Sequence, residues 1–170
     1  HTWTALDNTN FIGIGTSQKY YLNAGGTYYD ITPIRKTTTG AATFTATDGS
    51  STITVTDTDH GANLNDFVTF TNASAFHGSG NITAAVINQE YQVTAVTASN
   101  TYTITAKDTS GSEVTANAND AGSGKGGGST VATYQINVGL DDNSYGTGWG
   151  AGIWGGISGS AATTAVDDGS

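Results

Sequence analysis

The chain has 170 residues, 36% of them hydrophobic and only 11% charged, with 24 glycines, one proline, no cysteine and a net charge of −9. That length can bury roughly two thirds of the surface an unfolded chain exposes, and the lack of cysteine excludes disulfides, a thiolate metal site and a thiol nucleophile. With Lys19, Arg35, Lys36, Lys107 and Lys125 as the only basic side chains, tight nucleic-acid binding is not expected, and no apolar run nears the ~20 residues that span a bilayer, so no membrane partner is expected.

Without an initiator Met, a chain starting at His1 is expected to be either a processed product or a piece of something longer. The first strand-like runs are FIGIG, around Ile12 and Ile14, and KYYL, around Tyr20 and Leu22. NAGG then supplies the Asn and Gly that tolerate positive φ in a hairpin loop, and TYYDI follows until Pro33 removes a ladder donor. KTTTG, from Lys36 to Gly40, reads as a low-complexity joint and is taken as a domain boundary.

After it, ATFTA around Phe44, STITVT with Ile53 and Val55, and DFVTFT with Val68 and Phe70 alternate apolar with polar residues. A period of two predicts strands with one wet face, and threonine and aromatics suit a pleated surface. DTDHGANLND reads as a polar turn region with Gly61 at positive φ. Between Asn72 and Ile87 the alternation lapses, which predicts a long surface loop with a short helical turn through ITAAVI. Tyr91, Val93 and Ala95 resume the pattern, and Ala98 to Asn100 connect to TYTITA with Tyr102 and Ile104. Lys107 to Thr130, with GSGKGGGS near its end, predicts a flexible linker or exposed loop. VATYQINVG places Ala132, Tyr134, Ile136 and Val138 on one face of a further strand.

The tail after Gly139 is too rich in glycine for a regular helix, yet it holds Tyr145, Trp149 and Trp154. Large aromatics in such a segment need a surface to bury against, which must come from the strands at Ile12 and Tyr134 or from a neighbouring subunit, and Trp149, Trp154, Tyr145 and Tyr134 are the expected interface residues.

Catalytic readings are weak. A terminal His1 could chelate copper with His60 or His77 as the second ligand, but an isolated histidine is by default a surface residue. GSGKGGGS has Asn119 and Gly126 where a phosphate loop needs Gly and Ser or Thr. The acidic pairs Asp57 and Asp59, and Asp141 and Asp142, lack calcium-loop spacing and are read as turn residues. Asn72-Ala73-Ser74 and Asn81-Ile82-Thr83 match the glycosylation acceptor pattern and add only support for a surface loop. No catalytic constellation stands out, so no catalytic, cofactor or metal residue is assigned.

The run DTDHGANLNDFVTFTNAS followed by EYQVTAVTASNTYTITA resembles the pattern HG-x(n)-GD-x-V-x-F/I, N-G-x-Y-x-V, N-x-Y/F-x-I of a small β-barrel. That barrel is known from the first catalytic-cysteine half-domain of ubiquitin-activating enzymes and as an inserted module in tailed-phage structural proteins. His60-Gly61 is the HG, Asn65 stands where a glycine is usual, and the insertion between Phe76 and Ile87 is longer than the pattern. GIGTSQKYYLNAGGTYYDITPIR and YGTGWGAGIWGG look like segments of a phage virion protein of the tail nozzle or tail tube type.

The resemblance implies a non-enzymatic virion component that assembles with copies of itself and other virion proteins, with no cofactor. The expected fold is all-β: a small antiparallel β-barrel at residues 40–108, inserted in a platform of strands from residues 1–39 and 131–170, with a Gly/Ser-rich linker or loop at residues 109–130. The alternative is an extracellular module that binds carbohydrate, such as a host-surface glycan, through exposed aromatics.

Overall fold

Threonine-rich alternation sets the architecture: among the described residues, twelve strands form three antiparallel four-stranded sheets, with one helical turn beside them. The computed structural model describes residues 1–76, 79–119 and 126–137, all within one of the two units into which the chain divides, His1–Val138. The protein is all-β, as its alternation predicts.

The first sheet is a simple meander of β1 (Thr2–Thr4), β2 (Asn10–Gly15), β3 (Tyr20–Ala24) and β4 (Thr27–Asp30). The NAGG turn forms as expected: Gly25 and Gly26 take φ of +58° and +88°, the pair of positive angles that a two-residue hairpin loop demands.

Two further sheets pack face to face. One has the order β10-β11-β7-β6, made by β6 (Thr43–Ala46), β7 (Thr52–Thr56), β10 (Ala95–Ala98) and β11 (Thr101–Thr105). The other has the order β5-β12-β8-β9, from β5 (Ile34–Thr39), β8 (Phe67–Thr71), β9 (Glu90–Gln92) and β12 (Val131–Gln135). Their inward residues are the alternating apolar positions. Phe44, Ile53, Val55, Tyr102 and Ile104 come from one sheet and Val68, Phe70, Tyr91, Ala132 and Tyr134 from the other, all buried. The Phe44 and Phe70 rings meet edge to face at 5.0 Å across the interface, the favoured geometry for aromatic pairs.

The expected closed barrel is corrected to an open pair of sheets. At one side the chain turns from β9 into β10 through Val93 and Thr94, and at the other from β5 into β6 through Gly40, which takes φ of +70°. The corners are made by chain, and no ladder joins the sheets across them.

The joint expected at Lys36 to Gly40 is largely strand. The β-branched run of Thr37 to Thr39 continues β5 and pairs with β12, Thr39 opposite Val131 and Thr37 opposite Thr133. The helical turn expected through ITAAVI is α1 (Ala84–Ile87), capped by Thr83, whose side chain accepts from the Val86 amide. Its Val86 and Ile87 point into the core.

In the segment predicted to be a flexible linker, Ala116 and Thr130 are buried. Gly126, at φ of +65°, lies so close to Phe44 that an added Cβ would sit 2.9 Å from Cδ2. Its described residues are irregular in backbone, and Ala116 and Gly126 pack against the sheets.

Candidate functional site

The feature that stands apart from this core is the N-terminal sheet. No apolar side chain of β1 to β4 is buried, although the segment is full of aromatic and aliphatic residues. The register assigns each to a face. Trp3 opposite Phe11, Phe11 opposite Ala24, and Leu22 opposite Tyr29 share one face with Tyr20, while Ile12, Ile14, Tyr21 and Tyr28 share the other.

On the first face the rings stack on one another. Trp3 stacks on Phe11 with centroids 5.6 Å apart and planes at 18°, and His1 stacks on Trp3 at 6.3 Å. Gly13 and Gly15 make this possible, because a Cβ at Gly13 would come within 3.2 Å of the Trp3 ring and one at Gly15 within 3.4 Å of Tyr20. Trp3 remains 44% exposed, Tyr29 52% and, on the opposite face, Tyr28 66%.

Lys19 holds this sheet to the rest. Its ammonium is buried, bonded to Asp30 at 2.8 Å, to Glu90 of β9, and to the Gln135 side chain of β12 at 3.1 Å, and it lies 4.6 Å above the Phe67 ring. Burial opposes the charge on Lys19, but the hydrogen bonds of Asp30 and Glu90 outweigh it and raise the pKa. Burial likewise pushes Asp30 up, and the hydrogen bonds from Lys19 and Thr32 overcome it, leaving the pKa lowered to about 2.

A second polar cluster lies inside the paired sheets. Asp57 is fully buried, and its Oδ2 accepts from the Tyr134 hydroxyl at 2.7 Å and from the Thr38 hydroxyl. Tyr134 and Tyr102 share a hydrogen bond at 3.0 Å, and the His60 ring packs edge-on to Tyr102 at 4.8 Å. Both nitrogens of His60 are engaged: Nδ1 accepts from the Ala62 amide at 2.9 Å, and Nε2 faces the Ala98 carbonyl at 3.4 Å. Burial pushes both tyrosine pKa values far up. An open cleft of about 290 Å³ lies beside this turn, between Asp59–Asn63 and Val96–Ser99.

These positions correct several sequence expectations. His60 is a core residue, not a surface one, and its ring nitrogens are occupied by backbone. Asp57 does not bond its own turn; its carboxylate is a partner of Tyr134, 77 positions along the chain. Asp59, by contrast, is the turn residue expected, at φ of +51°. Tyr134, expected at an interface, is wholly buried. His1 is exposed and lies against Trp3. His77, Tyr145, Trp149, Trp154, Asp141 and Asp142 lie outside the described residues.

Among the described residues, no group of three or more His, Asp or Glu comes together as a cation site. The N-terminal sheet was missed as a site because its runs read as ordinary strands. The available signal was apolar residues at both parities of the alternation: Phe11 and Ile12, Tyr20 and Tyr21, Tyr28 and Tyr29. Adjacent apolar residues on a strand must lie on opposite faces.

No family model matches the chain, and no curated protein does. Among solved structures it is similar to a phage phi92 endosialidase, at 17% identity and a TM-score of 0.42, over 76% of this chain and 19% of that one. The chain thus spans about a fifth of that protein's length, and a likeness at this level carries neither fold nor function across.

Proposed function

We propose that the chain is a structural subunit of a phage tail or tail-adaptor assembly, non-enzymatic, acting through self-assembly in the virion. The observation that carries the reading is the N-terminal sheet, four strands with no buried apolar side chain on either face. Sheets of this size are stable when a face is packed, and contiguous exposed apolar surface marks an interaction site. The phage assignment itself comes from the resemblance of GIGTSQKYYLNAGGTYYDITPIR and the barrel-like motif to virion proteins. Electron microscopy of the concentrated full chain tests the reading: rings, tubes or other regular particles are expected, and a homogeneous field of single chains would oppose it.

A second reading is favoured by one observation. Trp3 stacks on Phe11 and, with Tyr20, is exposed beside a glycine of β2, and exposed aromatic rings are what a carbohydrate stacks on. Binding on a glycan array by a monomeric chain, lost in Trp3→Ala, would support an extracellular carbohydrate-binding module instead.

A further inference from the structure

We infer that the occupant of the N-terminal sheet is a second copy of this chain, seated head to tail, so that the Trp3–Tyr29 face of one copy covers the Ile12–Tyr28 face of the next. The inference rests on the self-assembly reading and names the surface that would perform it.

Charge selects the surface. Each copy carries a net charge of −9, yet Asp7, Lys19 and Asp30 are the only Asp, Glu, Lys or Arg side chains before Arg35. Lys19 is shared between Asp30 and Glu90 on the side of Tyr21, which pairs with Asp30, away from the Trp3–Tyr29 face, and Asp7 sits in the turn between β1 and β2, bonded to the Thr9 amide. The Trp3–Tyr29 face therefore presents no Asp, Glu, Lys or Arg side chain, and at its rim the His1 amino group donates to the Gly13 carbonyl at 2.9 Å. Two like-charged chains repel over most of their surfaces, and this sheet is where they can approach.

Exposure on both faces selects the arrangement. Four strands at ~4.8 Å spacing and about five residues at ~3.4 Å give each face roughly 330 Å² in projection. A stable specific interface buries about 800 Å² on each partner. A two-fold dimer through one face falls well short, and it leaves Ile12 and Tyr28 in water, 42% and 66% exposed. Using both faces, one on each neighbour, leaves each contact at the same roughly 330 Å² but covers the exposed aromatics of both faces, so the assembly is held by repeating a small contact along the array. Face-to-opposite-face contacts are heterologous and generate a closed ring or an open stack.

Tyr28 and Tyr29 make the test sharp, because they are neighbours on the same edge strand and face opposite ways. Full-length Tyr28→Glu and Tyr29→Glu chains are compared with the parent by sedimentation velocity, with circular dichroism and thermal melting confirming the fold. Should a glutamate variant unfold, Tyr28→Ser and Tyr29→Ser replace the pair. Each variant alone is expected to lose association by at least tenfold. Mixed together they are expected to form a one-to-one heterodimer, since the intact Tyr29 face of one fits the intact Tyr28 face of the other.

A Tyr28 variant that assembles like the parent, or a mixture that stays monomeric, overturns the head-to-tail contact while leaving self-assembly through another surface standing. A parent that is monomeric at every concentration overturns both. In that case glycan binding lost in Trp3→Ala assigns the sheet to a saccharide.

Discussion

The Tyr134 hydroxyl donates to Asp57 Oδ2 at 2.7 Å from the opposite sheet. A buried carboxylate is costly unless hydrogen-bonded, and this one draws its donors from both Tyr134 and Thr38. The bond therefore fixes how β7's end sits against β12 and β5. Tyr134→Phe keeps the ring and removes the donor. It is expected to destabilise the protein by about 1–3 kcal/mol, read as a lower urea midpoint with unchanged slope. Tyr102→Phe, which removes a hydroxyl one step further from Asp57, is expected to cost less.

Alkaline pH is expected to act on the same cluster. Burial raises the pKa of Tyr102 and Tyr134 above the ordinary value of 10.0, so above that pH the unfolded chain releases protons that the folded chain keeps. Stability is full below about pH 10 and falls as the pH rises further. Absorbance titration at alkaline pH is expected to show the exposed tyrosines ionising first, with Tyr102 and Tyr134 ionising only as the fold is lost. Smooth titration of all eight tyrosines without unfolding would contradict it.

Acid is expected to loosen the joint at Lys19. Asp30 holds a pKa of about 2 against an ordinary 3.8, so its contribution is intact above pH 3.8 and is lost as the pH falls through about 2. Lys19→Met removes the cation and leaves Asp30 and Glu90 unneutralised beside each other. Breaking such a pair on one side is expected to cost about 2–4 kcal/mol. Hydrogen exchange is expected to quicken in β3 and β4 more than in β7 and β11.

Gly126→Ala is expected to destabilise by about 1–3 kcal/mol, combining a positive φ with overpacking. The new Cβ would lie 2.9 Å from Phe44 Cδ2 and 3.1 Å from the Ser74 carbonyl. Gly49→Ala shares a positive φ but meets nothing within 4 Å, so it is expected to cost less. Equal thermal shifts for the two would place the effect in backbone strain alone.

Most of the strand pattern was legible because it is local. Ile53 and Val55, Val68 and Phe70, and Tyr102 and Ile104 each alternate with threonine and each point inward. Non-local chemistry was not legible. DTDHG reads as a surface turn by composition, and nothing nearby announces that Tyr134, Thr38 and Tyr102 close around Asp57 and His60. Closure into a barrel could not be read either, since it depends on whether strands pair across the corners at Val93–Thr94 and Gly40. The uncovered sheet was hidden in plain strand propensity: alternation says which residues share a face, and not whether anything covers it.

Side-chain footprinting by hydroxyl radicals across a concentration series tests the central claim most directly. Trp3, Ile12, Tyr28 and Tyr29 are expected to lose reactivity as concentration rises, while exposed Val96 of β10 and Leu64 in the turn before β8 stay constant. Reactivity of those four side chains that is unchanged from dilute to concentrated chain would contradict the claim that copies of this protein cover the sheet.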